Sequence, residues 1–166
     1  MHAYCHITIG NTFIDRLRET EFPGTIYPIH PKAETIANLP VYPSLGETPE
    51  PVDYAFIAVG ADRVPPMLRA ANGRVGFAQV ISAGFGEVAA GKALQDKLVA
   101  AGREGGCRVI GPNCLGLHTP RGRVSFAKSA SMTEGSVGII SQSGGLGTDI
   151  IRRGQIRGIV FSGLLT

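Results

Sequence analysis

The sequence predicts an α/β fold in which the strands form a parallel sheet. The strongest strand pattern, Asp53 to Val59 (DYAFIAV), is followed by a helical pattern, and this order recurs twice further along the chain. Strands that alternate with helices form right-handed βαβ units, and the strands of such units are parallel. Glycine is abundant, at 23 residues, which suits tight turns between strands and helices. Because ligands of such sheets bind at the carboxyl ends of the strands, we expect the site in those turns.

Composition restricts the class of protein. With 166 residues, of which 43% are hydrophobic and 17% charged, the chain can form one ordinary core, or one domain and part of another. The net charge is only +3 and the arginines are scattered, so nucleic-acid binding has little support. No apolar run approaches the ~18 residues of a membrane span, and no signal peptide is recognisable. We therefore expect a cytoplasmic protein that does not bind membranes.

The spacing of cysteines and histidines argues against a metal site. Cys5, Cys107 and Cys114 are odd in number and contain no C-x-x-C pair, which disfavours both zinc and a disulfide framework. The histidines show no metal-ligand spacing either, so we expect no metal. They are His2, His6, His30 and His118.

The first fifty residues carry weaker patterns. Thr12 to Asp15 resembles a capping box, which predicts a helix that runs from there to about Thr20. The other predicted elements are a strand from Ala3 to Ile9, a strand from Thr25 to Ile29, a short helix from Ala33 to Asn38, and an irregular proline-rich segment from Leu39 to Ser44.

The middle of the chain is more regular. After the strand Asp53 to Val59, Asp62 is a candidate cap for a helix that runs to about Ala71. The later predicted elements are a strand from Phe77 to Ser82, a helix from Val88 to Arg103 with Ala90, Leu94, Leu98 and Ala101 on its apolar face, a short strand from Arg108 to Ile110, and an exit strand from Arg121 to Phe126.

A strand, a turn and a helix are predicted between Ser136 and Gly154. The turn, Ser141 to Gly145, has small residues and two hydroxyls and opens a helix, whose unpaired N–H groups suit a phosphate. Alternatively, Ser143 only caps the helix. The remaining predictions are a buried strand with Val137, Ile139 and Ile140, an apolar helix face with Leu146, Ile150 and Ile151, a helix stop at Gly154, and a further strand from Gly158 to Ser162.

Two other functions are alternatives to a phosphate site: a hydrolase nucleophile and a nicotinamide dinucleotide site. The turn is close to the G-x-S-x-G nucleophile elbow of hydrolases, with Ser141 in place of the first glycine. That triad needs a histidine later in the chain, and none follows His118. A nicotinamide dinucleotide domain is disfavoured because no G-x-G-x-x-G follows the first predicted strand.

Six turns and strand ends occur in an order that resembles a known family. They are Ile29-His30-Pro31-Lys32, Tyr42-Pro43-Ser44-Leu45, Pro51-Val52-Asp53, Ser82-Ala83-Gly84-Phe85-Gly86-Glu87, Gly111-Pro112-Asn113-Cys114-Leu115-Gly116 and Ser141-Gln142-Ser143-Gly144-Gly145. From about Gly10 to Ser162 the series resembles the nucleoside-diphosphate-forming acyl-CoA synthetases, which include the ADP-forming acetate–CoA ligases and the α subunit of succinyl-CoA synthetase. The resemblance implies a ligase that makes acyl-CoA from an acid, CoA and a nucleoside triphosphate, through an acyl phosphate and a phosphorylated histidine.

The resemblance also implies how the chain is organised. We expect a Rossmann-like CoA-binding domain over residues 1–128, a linker over 129–135, and part of a flavodoxin-like domain over 136–166. Coenzyme A and a small carboxylic acid would be the substrates. ATP or ADP and Mg would be bound by an ATP-grasp domain or subunit, which none of the 166 residues resembles.

Matched position by position, the resemblance implies three groups of site residues. Asn113 and Cys114 would face the reacting thioester. Without the resemblance, Cys114 could equally be a small buried residue. Lys32 and the strand ends at Val59 and Ile81 would then be ordinary turn residues. The residues implied to bind CoA are Lys32, Val59, Gly60, Ala61, Ile81, Ser82 and Ala83, and those implied to receive the phosphate are Ser141, Ser143, Gly144 and Gly145.

The sequence also departs from the family pattern. Met1 to Ile9 does not match the glycine-rich loop that holds CoA, Gly60 replaces a usual proline, and Thr148 stands where succinyl-CoA synthetases carry a tyrosine. No histidine has the G-H-x-G context of the phosphorylated one, so we expect no catalytic residue in this chain and no ligase activity from it alone. The alternative is a non-catalytic regulatory module that binds CoA or acyl-CoA, or a vestigial fragment.

Overall fold

The computed structural model describes residues 9–166 and shows, besides one two-stranded hairpin, two larger β-sheets, here called the first and the second sheet, each with its own hydrophobic cluster. The helices are Ile9–Glu19 (α1), Val64–Ala71 (α2), Lys92–Glu104 (α3) and Gly144–Ile156 (α4). The strands are Thr35–Ile36 (β1), Leu39–Pro40 (β2), Val52–Ile57 (β3), Val75–Val80 (β4), Arg108–Ile110 (β5), Leu117–Thr119 (β6), Val124–Ser125 (β7), Val137–Ile140 (β8) and Phe161–Leu165 (β9). No helix within this range is long and apolar enough to cross a membrane.

The first sheet has the order β3-β4-β5, and both pairs of strands are parallel. The predicted α/β class and its parallel sheet are confirmed. Because side chains alternate between the two faces of a strand, one face buries every second residue. This face packs with α2 and α3 into the main core, which contains Ala55, Ile57, Ala78, Val80, Leu68 and Leu98.

The second sheet has the order β7-β6-β9-β8 and mixes the two directions. β8 and β9 are parallel, whereas β6 is antiparallel to both β7 and β9. The register of β8 and β9 shifts after Phe161, so Ser162 is an extra residue in β9. This bulge lets Phe161 and Leu164, three residues apart, both pack on Ile151 of α4.

The hairpin formed by β6 and β7 lies within the range predicted for the first domain, yet it pairs with β9. The exit strand predicted from Arg121 to Phe126 contains β7, which is shorter than the predicted strand. The domain boundaries at 128 and 135 stay predictions. The pairing shows that residues 117–125 share a sheet with β8 and β9.

The weak predictions for the first fifty residues are partly wrong. The strand predicted from Ala3 to Ile9 lies outside the described residues, except for Ile9, which begins α1. Thr12 therefore lies inside the helix and does not cap it. Of the strand predicted from Thr25 to Ile29, only Ile29 forms a bridge, with Tyr42.

The helix predicted from Ala33 to Asn38 is wrong. This segment forms the hairpin of β1 and β2, in which Thr35 pairs with Pro40. Ala37 and Asn38 form its two-residue turn, with φ values of +51° and +60°. Two successive positive φ angles match the twist of a hairpin, and Asn tolerates them well. Because alanine is not a typical residue of such turns, the sequence does not predict this one.

Elements in the middle of the chain are correct in type but shifted. β4 starts two residues before the predicted strand, and the α-helix α3 starts at Lys92, after a short 3-10 turn, instead of at Val88. Asp62 does not cap α2: it lies in a 3-10 turn, and the N-cap position is Arg63. β9 lies three residues beyond the strand predicted from Gly158 to Ser162, because Gly158 turns the chain with φ +77°.

Of the apolar face predicted for helix α4, only Ile151 is buried. Leu146 and Ile150 are 57% and 40% exposed, whereas Gly147, Ile151 and Gly154 are buried. Gly154 does not stop the helix, which continues to Ile156. β8 is an edge strand rather than a fully buried one, and its Val137 and Ile140 side chains are exposed.

Gly154 allows α4 to approach β9. A Cβ atom at this position would lie 2.5 Å from the Phe161 ring, which is itself buried. We expect Gly154→Ala to lower the free energy of unfolding by ~1–3 kcal/mol through overpacking, although alanine favours a helix. Denaturation by urea measures the change. Gly145→Ala in the same helix is the control, because its Cβ would meet no atom within 4 Å; equal effects of the two substitutions would contradict this account.

Candidate functional site

The turns after β3, β4 and β5 form a connected row at the carboxyl edge of the first sheet. The Ser82 hydroxyl, after β4, donates to the carbonyl oxygen of Val59, after β3. The amide of Asn113, after β5, donates to the Ser82 carbonyl oxygen at 3.0 Å. A Cβ at Gly84 would lie 3.6 Å from that of Ala61, so these two turns are also in van der Waals range. The structure thus brings together the strand-end residues predicted from the sequence.

The turn after β4 is closed by Glu87, which the sequence analysis did not single out as a site residue. The Glu87 carboxylate accepts hydrogen bonds from the amides of Gly84 and of Phe85, the latter at 3.1 Å. The Gly84 amide, followed by the local backbone amides, holds the pKa of this carboxyl below its ordinary value. Two donors that an anion would otherwise use are therefore already occupied.

The turn from Gly111 to Gly116 separates the side chains of Asn113 and Cys114. Asn113 is exposed and has φ +52°, a left-handed conformation that Asn adopts more readily than most residues. Cys114 is only 5% exposed, and its thiol donates to the Thr166 carbonyl oxygen at 2.7 Å. Only Asn113 of this pair is directed to where a ligand can reach it.

The second part of the site is the start of α4. The Ser143 hydroxyl accepts a hydrogen bond from the Leu146 amide at 3.2 Å, so the predicted N-cap is confirmed. The Ser141 hydroxyl donates to the Ser143 carbonyl oxygen at 3.0 Å and holds the loop in shape. Gly145 faces open space. A helix start with an ordered cap and an open glycine can accommodate a phosphate group against its N–H groups.

The two parts of the site are in direct contact. A Cβ at Gly144 would lie 2.5 Å from the Leu115 Cβ, so the start of α4 packs closely on the turn after β5. Gly116 and Thr166 exchange backbone and hydroxyl hydrogen bonds of 2.9–3.1 Å. The turns that resemble a CoA site and the turn that resembles a phosphate site therefore form one continuous surface.

Two predicted site residues, Lys32 and Ile81, lie outside this network, as does Thr148, which the sequence analysis noted as a departure from the family pattern. Lys32 is exposed, and no ion pair of its side chain occurs within residues 9–166; its amide donates to His30 Nδ1 at 3.2 Å. Ile81 is half-buried and contributes its amide to the Ile57 carbonyl oxygen. The Thr148 hydroxyl donates to the Gly144 and Gly145 carbonyl oxygens of its own helix.

A buried glutamine beneath the row was also missed. Gln79 lies on β4 and is only 1% exposed, although its neighbours on the strand are apolar. Its amide contacts Tyr54 of β3 and the carbonyl oxygen of Cys114. The signal in the sequence is the single polar residue inside an otherwise apolar strand, VGFAQV.

These features define an open α/β fold with a candidate ligand surface that runs along the carboxyl ends of its strands to the start of a following helix. Residues 8–120 match the model of the family described as CoA binding domain, and the chain belongs to this family. The predicted resemblance is thereby confirmed.

Relatives with described activities are similar to this chain over most of its length. Acetate–CoA ligase [ADP-forming] I of Archaeoglobus fulgidus is 35% identical over 157 residues, which are 93% of this chain and 23% of the relative. Acetate–CoA ligase [ADP-forming] I subunit alpha of Pyrococcus furiosus is 36% identical over 146 residues, 84% of this chain and 32% of the relative. The chain therefore spans about a quarter to a third of these two relatives.

A solved structure agrees with these matches. The dinucleotide-forming acetyl-coenzyme A synthetase 1 of Ca. Korarchaeum cryptofilum, in complex with phosphate and ADP, superposes with a TM-score of 0.88 at 32% identity. The match covers 99% of this chain and 36% of that chain. The similarity extends beyond the family model to the second sheet.

The cap of α4 generates a stability prediction. We expect Ser143→Ala to lower the free energy of unfolding by ~1 kcal/mol, because the Leu146 amide loses its acceptor. Urea denaturation measures the loss. Ser143→Thr keeps the acceptor oxygen and serves as the control. If alanine and threonine have the same effect, the hydroxyl does not act as a cap.

Glu87 generates a prediction about pH. A carboxyl whose pKa is lowered by folding stabilises the native state above its ordinary pKa, and this contribution is lost as pH falls through the lowered value. We expect Glu87→Gln to lower the urea midpoint at pH 7 and to differ less from the wild type as the solution becomes acidic, below about pH 4. Glu134→Gln, at an exposed glutamate between β7 and β8, is the control. A difference that stays constant with pH would refute the role of the charge.

Proposed function

We propose that this chain is the CoA-binding portion of an ADP-forming acid–CoA ligase. The family and the relatives support this proposal, and the observation that carries it is the contact between Leu115 and Gly144. That contact makes the strand-end turns and the start of α4 one surface. CoA would lie along the turns, with its thiol end directed to the turn from Gly111 to Gly116, beside the phosphate.

The turns have the properties that a long cofactor needs. Val59 to Ala61 and Ile81 to Ala83 consist mostly of small residues, so a chain of CoA's size can approach the backbone. The exposed Lys32 would pair with a phosphate at the nucleotide end of CoA. Asn113 is exposed next to the turn at Ser82 and would contact the acyl group or the thioester.

The start of α4 would serve the phosphate chemistry. Ser141, Ser143, Gly144 and Gly145 would hold the phosphate of an acyl phosphate or of a phosphohistidine at the helix N-terminus. In thioester formation, the CoA sulfur forms a bond to the acyl carbon, the acyl–oxygen bond breaks, and inorganic phosphate leaves. The positive end of the helix would stabilise the charge of the departing phosphate.

Other parts of the reaction would come from elsewhere. None of the four histidines lies in a G-H-x-G segment, so the phosphorylated histidine would belong to another segment or chain. The same holds for the ATP-grasp site that would bind ATP or ADP with Mg. The similarity to a relative named as an alpha subunit supports a division of this kind. On this proposal, the 166 residues bind CoA but do not make acyl-CoA by themselves.

Calorimetric titration of the 166-residue chain with CoA tests the proposal. We expect saturable binding at or below millimolar CoA. Lys32→Ala should weaken the affinity about 10-fold, the loss expected for one charged hydrogen bond to a phosphate. Lys97→Ala, at another exposed lysine on α3, is the matched control and should bind CoA like the wild type.

Two results would overturn the proposal. One is the absence of heat at millimolar CoA from a chain whose circular dichroism shows that it is folded. The other is binding that dephosphorylated nucleosides compete for as well as CoA does, since this would indicate an unspecific cleft. Equal losses from both lysine substitutions would remove Lys32 from the site but leave CoA binding in place.

A further inference from the structure

Gln79 is a polar side chain at the centre of an apolar sheet. It lies on β4, the middle strand of the first sheet, and is 1% exposed. A buried amide destabilises a protein unless both its oxygen and its nitrogen have partners. Here both do: the Tyr54 hydroxyl donates to Oε1, and Nε2 donates to the Cys114 carbonyl oxygen at 3.0 Å.

The chemistry of these partners determines the orientation of the amide. A carbonyl oxygen only accepts hydrogen bonds, so the NH₂ group of Gln79 must face Cys114. The amide oxygen then faces Tyr54, whose hydroxyl must donate. Burial raises the pKa of Tyr54, and the nearby Cys114 thiol adds to this, so the phenol keeps the proton that it donates. The hydrogen bonds therefore have a single direction, from Tyr54 to Gln79 to Cys114.

The amide supports the turn after β5 from below. A Cβ at Gly116 would lie 2.7 Å from both the nitrogen and the oxygen of the Gln79 amide. Two backbone bonds fix the near side of the same turn, from Asn113 to Ser82 and from Cys114 to Val80, at 3.0 and 3.2 Å. Gln79 adds the only side-chain bond from the first sheet to this turn that is recorded within residues 9–166.

We propose that Gln79 is a positioning residue: its amide, oriented by Tyr54, sets the height of the 111–116 turn and so places Leu115 against Gly144 at the start of α4, with the exposed Asn113 in the same turn. This inference rests on the proposed function, because the placement matters only if CoA reaches this turn. No contact of Gln79 with a ligand is implied. The residue would act through the backbone of Cys114.

A glutamate at this position tests the direction of the hydrogen bonds. In Gln79→Glu, the protonated acid can still donate to the Cys114 carbonyl oxygen and accept from Tyr54. The ionised acid can still accept from Tyr54 but cannot donate to Cys114, so a carboxylate oxygen then faces the Cys114 carbonyl oxygen. Tyr54 and Cys114 are the titratable groups that face this position. Burial raises the pKa of such a glutamate, so the turn should be held at low pH and released as pH rises.

The measurement is CoA affinity by calorimetry between pH 5.5 and 8.5, expressed as the ratio of variant to wild type at each pH. For Gln79→Glu we expect a ratio near one at the acidic end and a loss of about 10-fold or more at the basic end. Gln79→Met has a similar volume but no polar group, so it should weaken binding at every pH. Tyr54→Phe keeps the bond to Cys114 and should weaken binding less than methionine does.

Thr48→Val is the matched control for a loss of stability. Thr48 is also buried, and its hydroxyl donates to the Leu45 and Glu50 carbonyl oxygens, away from the 111–116 turn. It should lower the melting temperature without changing the affinity ratio. A pH-independent loss in Gln79→Glu equal to that in Gln79→Met would overturn the proposal, as would wild-type affinity of the methionine variant.

Hydrogen exchange separates this proposal from the proposed function. Exchange of the amides in residues 111–118, measured by mass spectrometry without any ligand, should accelerate in Gln79→Glu relative to the wild type as pH rises, and in Gln79→Met at all pH values. If the wild type fails to bind CoA but the exchange follows this pattern, Gln79 positions the turn and the proposed function is wrong. If the wild type binds CoA but exchange in this segment is unchanged in every variant, the positioning role is wrong.

If a glutamate or methionine variant does not fold, the same two measurements on Tyr54→Phe decide the question, and unchanged exchange there overturns the proposal.

Discussion

The turn from Gly111 to Gly116 is the joint on which the rest of the structure depends. One side of it is hydrogen-bonded to the first sheet, through the Val80 and Ser82 carbonyl oxygens. The other side is bonded to Thr166 at the end of β9, and Leu115 packs on α4. Six residues thus connect two sheets that have separate cores. The proposed CoA surface crosses from one sheet to the other at this turn, so the position of the turn affects the geometry of that surface.

The close approach of the α4 backbone to β9 stabilises the second sheet, although its hydrophobic cluster is small. Within residues 9–166, its hydrophobic cluster has three buried apolar side chains, Ile151, Phe161 and Leu164, so contact distance matters more than area. Gly147 and Gly154 bring α4 down onto the two β9 side chains. Glycine has a low helix propensity, but at these two positions the absence of a side chain is what allows the helix to pack on β9. The hairpin of β6 and β7 adds two more strands, which no feature of the isolated strand–helix–strand sequence would require.

The strongly periodic parts of the fold were predictable, and the parts set by single residues were not. β3, β5 and α3 follow from apolar patterns bounded by turn residues. The sequence around Ala37 and Asn38 predicts a helix and not the observed hairpin turn, because alanine does not signal a left-handed conformation. The motif turns of the site were predictable because small residues and hydroxyls mark them. Glu87 and Gln79 were not singled out, since each acts on backbone groups that come together only after the strands align in register.

The polar groups of the site differ in whether they are already satisfied, and this difference bears on where an anion can gain free energy. At the turn after β4, the Glu87 carboxylate occupies the Gly84 and Phe85 amides, so a phosphate arriving there would meet a negative charge instead of free donors. At α4, by contrast, the Ser143 hydroxyl takes the Leu146 amide, and the helix start beside Gly145 stays open. Helix N-termini attract anions through these unpaired N–H groups. In the proposed function, this difference favours the start of α4 for the phosphate of the reaction, whereas the small residues of the first-sheet turns favour the uncharged part of CoA. The proposed direction of CoA, with its thiol end toward α4, follows from this division of charge.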